Sequence, residues 1–344
     1  MSALVPLATV LRGGLAESYH LGAAAVATPA GRVVAHLGDP GLATFLRSAA
    51  KPFQALPLVL AGGVEAFGLA DADLALVCAS HAGRPEQVER CRGLLARGGL
   101  APEDLACGAH PPLDEGAARE LARRGEEPSP LHNNCSGKHA GMLLACLRLG
   151  HPREGYLEPD HPLQRRILGH LARFAGLGAE EIGVAVDGCG APTFHLPLAA
   201  AARAYAALVA PDLAAGVDGA EAAAAGRVVR AMTGAPAMVA GPGRFTTRLM
   251  EATGGRLLAK EGFEGFLAVG VRGPVALGLA VKIADGGERA RGAVVIELLR
   301  QVGCLAAAEA AALEDLHRPR LRNWRGLPVG EIAVDCELEE GWVH

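Results

Sequence analysis

The sequence predicts a mixed α/β protein: one central antiparallel sheet, built from both ends of the chain and flanked by helices. Three observations predict it. Tyr19–Thr28 and Gly31–Leu37 are apolar runs joined at Pro29-Ala30-Gly31, a hairpin signature. Phe266–Val271 and Pro274–Ile283 repeat that pattern near the other end, joined at Arg272-Gly273. The intervening stretch reads as helical, and Pro197–Met232 is very rich in alanine. The expected organisation is a single domain over residues 1–344, with the sheet drawn from about 1–70 and 235–344 and a mostly helical region at about 71–234.

Composition narrows the class. Half of the 344 residues are hydrophobic, enough for a sizeable core. The net charge of −4, with arginines and acids interspersed, leaves no basic stripe for nucleic acid. No run of about 18 apolar residues predicts a membrane span. Met1–Leu11 lacks the basic start and the cleavage site of a signal peptide, so the expected location is cytoplasmic. Eight cysteines in a chain this long do not form a disulfide scaffold. Cys78, Cys91, Cys146 and Cys304 lie in apolar segments and read as buried small hydrophobes.

Taken in order, Gly38-Asp39-Pro40 ends the first hairpin, and Arg47-Ser48-Ala49-Ala50-Lys51-Pro52 follows. If a helix starts there, Ser48 and Lys51 stand one turn apart on one face, about 5–6 Å between Cβ atoms. Pro52 suits a first turn, whose N–H groups have no partner inside the helix. Asp71 or Asp73 can cap a short helix through Leu74–Ala79, which delivers Ser80 into Ser80-His81-Ala82-Gly83. His81 reads either as a base or as polar surface. A helix starts at Pro85, and residues 97–130 are rich in loop. Residues 160–180 form another helix, and Ile182–Val186 a short strand. Gly241–Thr247 turns into a further helix, Lys260 ends an apolar run, Lys282 reads as a strand residue, and one long helix is expected from about Ala290 to Leu316.

Only four of the 33 cationic Lys and Arg residues are lysines: Lys51, Lys138, Lys260 and Lys282. Arginine stays charged, whereas a buried lysine can lose its proton, so the retained lysines point to amine chemistry. A serine is a poor nucleophile until a neighbouring base takes its proton. Leu131-His132-Asn133-Asn134-Cys135-Ser136-Gly137-Lys138-His139 crowds reactive side chains just before an apolar helix. Its Ser-Gly-Lys core is not a phosphate loop, because His132 and His139 stand where that pattern requires Gly and Ser or Thr. Asp187-Gly188-Cys189-Gly190 sets a second cysteine at a strand end. By itself Cys189 reads as a plain turn with a free thiol; paired with Cys135 the metal reading gains, since two thiolates with a third donor are common around zinc, though spacing alone does not show it.

With these motifs assembled, the chain resembles the Rhizobium etli-type L-asparaginase family, also called asparaginase II. Ser48–Gln54, Ala79–Gly83, His132–Met142, Asp187–Pro192 and Gly241–Thr247 carry the resemblance over nearly the full length. It implies a fold similar to serine β-lactamases and glutaminases, a homodimer, and hydrolysis of L-asparagine to L-aspartate and ammonia by a single catalytic domain. It also implies two Ser–Lys pairs, Ser48 with Lys51 and Ser80 with Lys260, and zinc (Zn2+) held by Cys135, Lys138 and Cys189. In such a site Ser48 attacks the side-chain amide and neutral Lys51 is its base. Holding a lysine neutral at pH 7 takes roughly 4.6 kcal/mol, which burial and the second cation Lys260 are expected to supply. Arg47, His139 and Asp187 are the candidates for binding the amino-acid carboxylate and ammonium. The Ser-x-x-Lys box also fits a penicillin-binding or β-lactamase-like acyl hydrolase, and a silent metal-binding sensor protein is the reading outside enzymes.

Overall fold

The computed structural model describes residues 3–341. The strands are β1 (Val5–Arg12), β2 (Leu15–Ala27), β3 (Val33–Leu37), β4 (Ala43–Phe45), β5 (Gly183–Val186), β6 (Pro192–Pro197), β7 (Leu257–Glu261), β8 (Phe266–Val271), β9 (Leu277–Ile283), β10 (Arg320–Arg322), β11 (Pro328–Val334) and β12 (Glu339–Glu340). The large sheet runs β10-β11-β1-β2-β9-β8-β7, and each pairing in it is antiparallel. β2 joins the two ends of the chain. Its first half pairs with β1, its second half pairs with β3, and β9 lies along its other edge. The expected central sheet is therefore present, drawn from both termini. The middle of the chain also supplies strands, because β4, β6 and β5 make a second small antiparallel sheet.

The alanine-rich helix Leu198–Val209 packs across β2, β8 and β9. Its small side chains let the helix backbone settle directly on the strands. A Cβ at Gly278 of β9 would lie 1.9 Å from the Ala202 carbonyl oxygen, so only glycine fits there. This explains the low aromatic content: much of the core is alanine and branched aliphatic side chains in close contact.

Two expectations are corrected. The single helix over Ala290–Leu316 is three, Arg291–Gln301, Ala307–Ala312 and Glu314–His317. Gly303 takes a left-handed φ of 67° and closes the first of them. The chain then returns to the sheet as β10 and β11, whose weak alternation did not announce strands. Nor is the segment after Arg47 one continuous helix. A 3-10 turn, Arg47–Ala50, runs into the short helices Lys51–Gln54 and Leu56–Leu60.

A packing contact in the middle of the chain positions the site. Helix Ser136–Leu149 lies against helix Asp71–Val77, and a Cβ on Gly137 would stand 2.2 Å from the Leu76 carbonyl oxygen. The glycine of Ser136-Gly137-Lys138 thus serves close approach. It brings the segment carrying Cys135 and Lys138 beside the end of the helix that delivers Ser80. No helix among the described residues is long and apolar enough to cross a membrane.

Candidate active site

Segments from across the chain meet at two adjoining cavities. The larger, about 540 Å³, is lined by Arg47, Ser48, Asn133, Cys135, Asp187 and Cys189, among others. The smaller, about 190 Å³, has Ser80, Arg244, Glu261 and Glu288 in its wall. Leu113, Asn134 and Phe263 line both.

Arg47 has a φ of 49°, in the left-handed region that a side chain seldom adopts. Such backbone costs about 1–3 kcal/mol and collects at functional sites. Arg47 Nε donates to Asp187 Oδ1 at 2.7 Å. Its guanidinium sits 5.9 Å from the centre of the Phe263 ring, within cation–π range. Two of the three substrate-binding candidates therefore stand together on the wall of the larger cavity.

The lysines pair differently from the expectation. Lys51 Nζ donates to Ser80 Oγ at 2.9 Å and to the Ala79 carbonyl oxygen, not to Ser48. Lys260 Nζ donates to the same Ser80 Oγ at 2.9 Å and to the Glu261 carbonyl oxygen at 2.8 Å. The result is a chain, Lys51–Ser80–Lys260, with all three side chains buried. The i,i+3 spacing does place Lys51 near Ser48. A buried amine still needs acceptors, and the end of helix Asp71–Val77 offers two. Ser48 Oγ has no hydrogen-bond partner among the described residues and faces the larger cavity. Burial pushes the Lys260 amine down, and Lys51 beside it pushes further, to about 7.

Lys138 Nζ donates at 2.9 Å to Sγ of Cys189, which lines the larger cavity. Cys135, just ahead of the helix, has its backbone N–H fixed by Asn133 Oδ1 at 2.8 Å. A hydrogen bond from Cys189 holds the Cys135 thiol well below its ordinary range, against the effect of burial. The same bond and burial push Cys189 up. Burial alone would lower Lys138, yet Cys135 and Cys189 outweigh it and keep the amine protonated beyond its usual range. Among the described residues no group of three or more His, Cys, Asp or Glu is placed to hold a metal. A zinc site here would need Lys138 as third donor. Two sulfurs and an amine meeting at a cavity wall that still admits water do fit a catalytic-type donor set.

His139, the third substrate-binding candidate, is not on either cavity wall. It is fully buried, and its Nδ1 lies 2.7 Å from Tyr156 Oη. Tyr156 Oη accepts from the Ala106 N–H, which leaves its own proton for His139 Nδ1. Burial, Lys138 and Lys51 push this imidazole well down, so it carries no charge for a carboxylate. The physical reason is helical rotation: position 138 faces the cysteines, and the next residue turns into the core. His81 is buried too. Its Nδ1 accepts from the Gly83 N–H and its Nε2 meets Ser136 Oγ at 2.8 Å, while burial holds it neutral with a pKa of about 3. Sequence reasoning passed over His110, on the larger cavity wall, whose Nε2 accepts from the Asn134 N–H at 3.0 Å. The signal was there, a histidine stiffened by Pro111-Pro112. It also passed over Asn134, Glu261, Arg244 and Arg291.

Serine, lysine and cysteine side chains thus gather around one cleft of a mixed α/β chain. The chain belongs to the L-asparaginase II family, whose model matches residues 8–334. No curated protein matches the sequence. A solved structure described as Mglu in its glutamate form is similar at 19% identity and a TM-score of 0.33, over 82% of this chain and 61% of that one. The chain so spans less than two thirds of that neighbour's length.

Proposed function

We propose that the protein hydrolyses the side-chain amide of L-asparagine to L-aspartate and ammonia by a Ser–Lys mechanism. Beyond the family, the observation that carries this reading is the buried chain in which Ser80 Oγ joins two amines at 2.9 Å each. Once neutral, Lys260 turns from donor to acceptor toward Ser80 Oγ and takes the hydroxyl proton while Ser80 takes a proton from Lys51. Lys51 is then a neutral base one turn from Ser48. Rotation of its side chain brings Nζ from Ser80 to Ser48 Oγ, which attacks the amide carbon as its proton passes to Lys51. That proton leaves on ammonia, and water later cleaves the aspartyl ester. Ser48 is favoured as nucleophile because its hydroxyl is unengaged and faces the larger cavity. Arg47 and Asp187, at the same wall, are suited to the carboxylate and ammonium of the amino acid.

Cys135, Lys138 and Cys189 would hold a zinc ion, which supplies a Lewis acid at the same cavity. Because Lys138 must lose its proton to bind metal, zinc affinity should rise with pH. A fold of the serine β-lactamase and glutaminase kind, a homodimer and a cytoplasmic location belong to the same reading. The location is in keeping with eight free cysteines.

Ammonia release from L-asparagine and L-glutamine, by wild type, Ser48→Ala and Ser80→Ala, tests it. Activity on asparagine that vanishes in Ser48→Ala supports the assignment. The contacts of Ser80 with both amines favour a second reading, in which Ser80 attacks. An aspartyl ester found on Ser80 by mass spectrometry of quenched enzyme would establish that instead. Release from neither amide would overturn the asparaginase reading.

A further inference from the structure

Arg291 is the first residue of helix Arg291–Gln301, where the helix dipole disfavours a cation. It is nevertheless only 4% exposed. Nothing in the helix itself explains a buried guanidinium there. Its contacts do. Arg291 Nη2 donates to Glu261 Oε2 at 2.7 Å, and Nη1 donates to the Gly262 carbonyl oxygen at 3.0 Å and to Glu288 Oε1 at 3.4 Å. Arg291 therefore grips the end of β7 on both sides of the Glu261–Gly262 peptide. Arg244 Nη2 adds a second bond to the Glu261 carboxylate at 3.1 Å.

Glu261 is the neighbour of Lys260, and its carbonyl oxygen accepts from Lys260 Nζ at 2.8 Å. A buried carboxylate next to a lysine is a ready ion-pair partner, and such a pair would keep the lysine charged. Here the carboxylate is already taken by two guanidinium groups. We propose that Arg291 is the positioning residue for Lys260: by holding Glu261, it denies Lys260 a carboxylate partner and leaves the amine aimed at Ser80. The groups facing Lys260 agree with this. Lys51, from the helix Lys51–Gln54, lowers it, as does Arg291, while Glu261 and Cys135, ahead of helix Ser136–Leu149, raise it. Cys78, at the end of helix Asp71–Val77, is buried and held as a neutral thiol. Burial and the two cations outweigh Glu261, whose carboxylate is shared between Arg291 and Arg244.

The inference builds on the Ser–Lys relay, but it is read on Lys260 itself. With four lysines in the chain, ε-13C-lysine labelling gives a sparse NMR spectrum, in which the Lys260 signal is the one lost in Lys260→Met. Titration of wild type, Arg291→Met, Glu261→Gln and the double variant is the test. Arg291→Met should raise the Lys260 midpoint by about one pH unit or more. Glu261→Gln should lower it, and the double variant should return close to wild type, since the two groups act on each other. A folded Arg291→Met protein with an unmoved midpoint, or a Glu261→Gln protein with a raised one, overturns the proposal. If Arg291→Met does not fold, Glu261→Gln and the double variant still decide. Midpoints that move as expected while the pH profile of ammonia release does not follow would leave Arg291 in its role and remove the relay.

Discussion

Lys138 and Lys260 are both buried, each bonded to a residue that lines one of two adjoining cavities, yet they are driven in opposite directions. Burial lowers each. Lys138 has two cysteine sulfurs beside it, and they reverse the effect. Lys260 has another lysine beside it and a carboxylate held by two arginines, and it falls to about 7. One residue type thus gives a fixed cation at one wall and a titrating base at the other, and the neighbours decide which.

The largest effect should come from removing Lys51. Lys51→Met takes away both the relay partner and the cation that holds Lys260 down. Ammonia release should fall about 10²–10⁴-fold, with the Lys260 midpoint moving up; steady-state rates within tenfold of wild type would break the comparison at its catalytic side. On the other side, Cys135→Ala strips Lys138 of its principal counter-charge and leaves a buried ammonium underpaired. Breaking such a pair costs about 3–5 kcal/mol, visible in urea unfolding, and bound zinc per chain should drop in metal analysis. A loss below 1 kcal/mol (the range of an exposed pair) would mean that the thiols do not hold Lys138. The smallest change acts on both sides at once. Gly137→Ala places a methyl against the Leu76 carbonyl oxygen and must part the two helices that bring Ser80 and Lys138 together. About 1–3 kcal/mol of overpacking strain is expected, and a midpoint of thermal unfolding equal to wild type would show that the contact is not tight.

Much of this site was legible because its motifs are local. Ser48 with Lys51, Ser80 before a glycine turn, and Cys135 with Lys138 each announce themselves within a few residues. What Lys51 touches was not legible. Sequence spacing sets where its Cβ stands, but the acceptors that draw its amine away, Ala79 and Ser80, lie just past the end of another helix. The lysine count pointed to Lys260, but its pairing with Ser80 came only through resemblance, since a lysine ending an apolar run has no distinguishing neighbours. Glu261 and Arg291 were invisible as a pair, being 30 residues apart and joined only where the start of a helix meets the end of β7. That His139 lies off both cavity walls was not legible because the motif reads as one reactive cluster, whereas a helix sends successive residues to different sides. In the fold, both hairpins and the alanine-rich helix followed from periodicity. The break at Gly303 and the return of β10 and β11 did not, because a short edge strand leaves little alternation to read.

The most direct test of the Ser–Lys chain is kcat/KM for ammonia release from L-asparagine between pH 5 and 10, set beside the NMR titration of Lys260. The relay needs Lys260 neutral, so activity should be low when the amine is protonated and should rise as pH passes through about 7. Coincidence of the acidic limb with the Lys260 midpoint, and loss of that limb's position in Glu261→Gln, is the expected result. A rate that stays flat through the Lys260 titration would contradict the claim that this amine drives the chemistry.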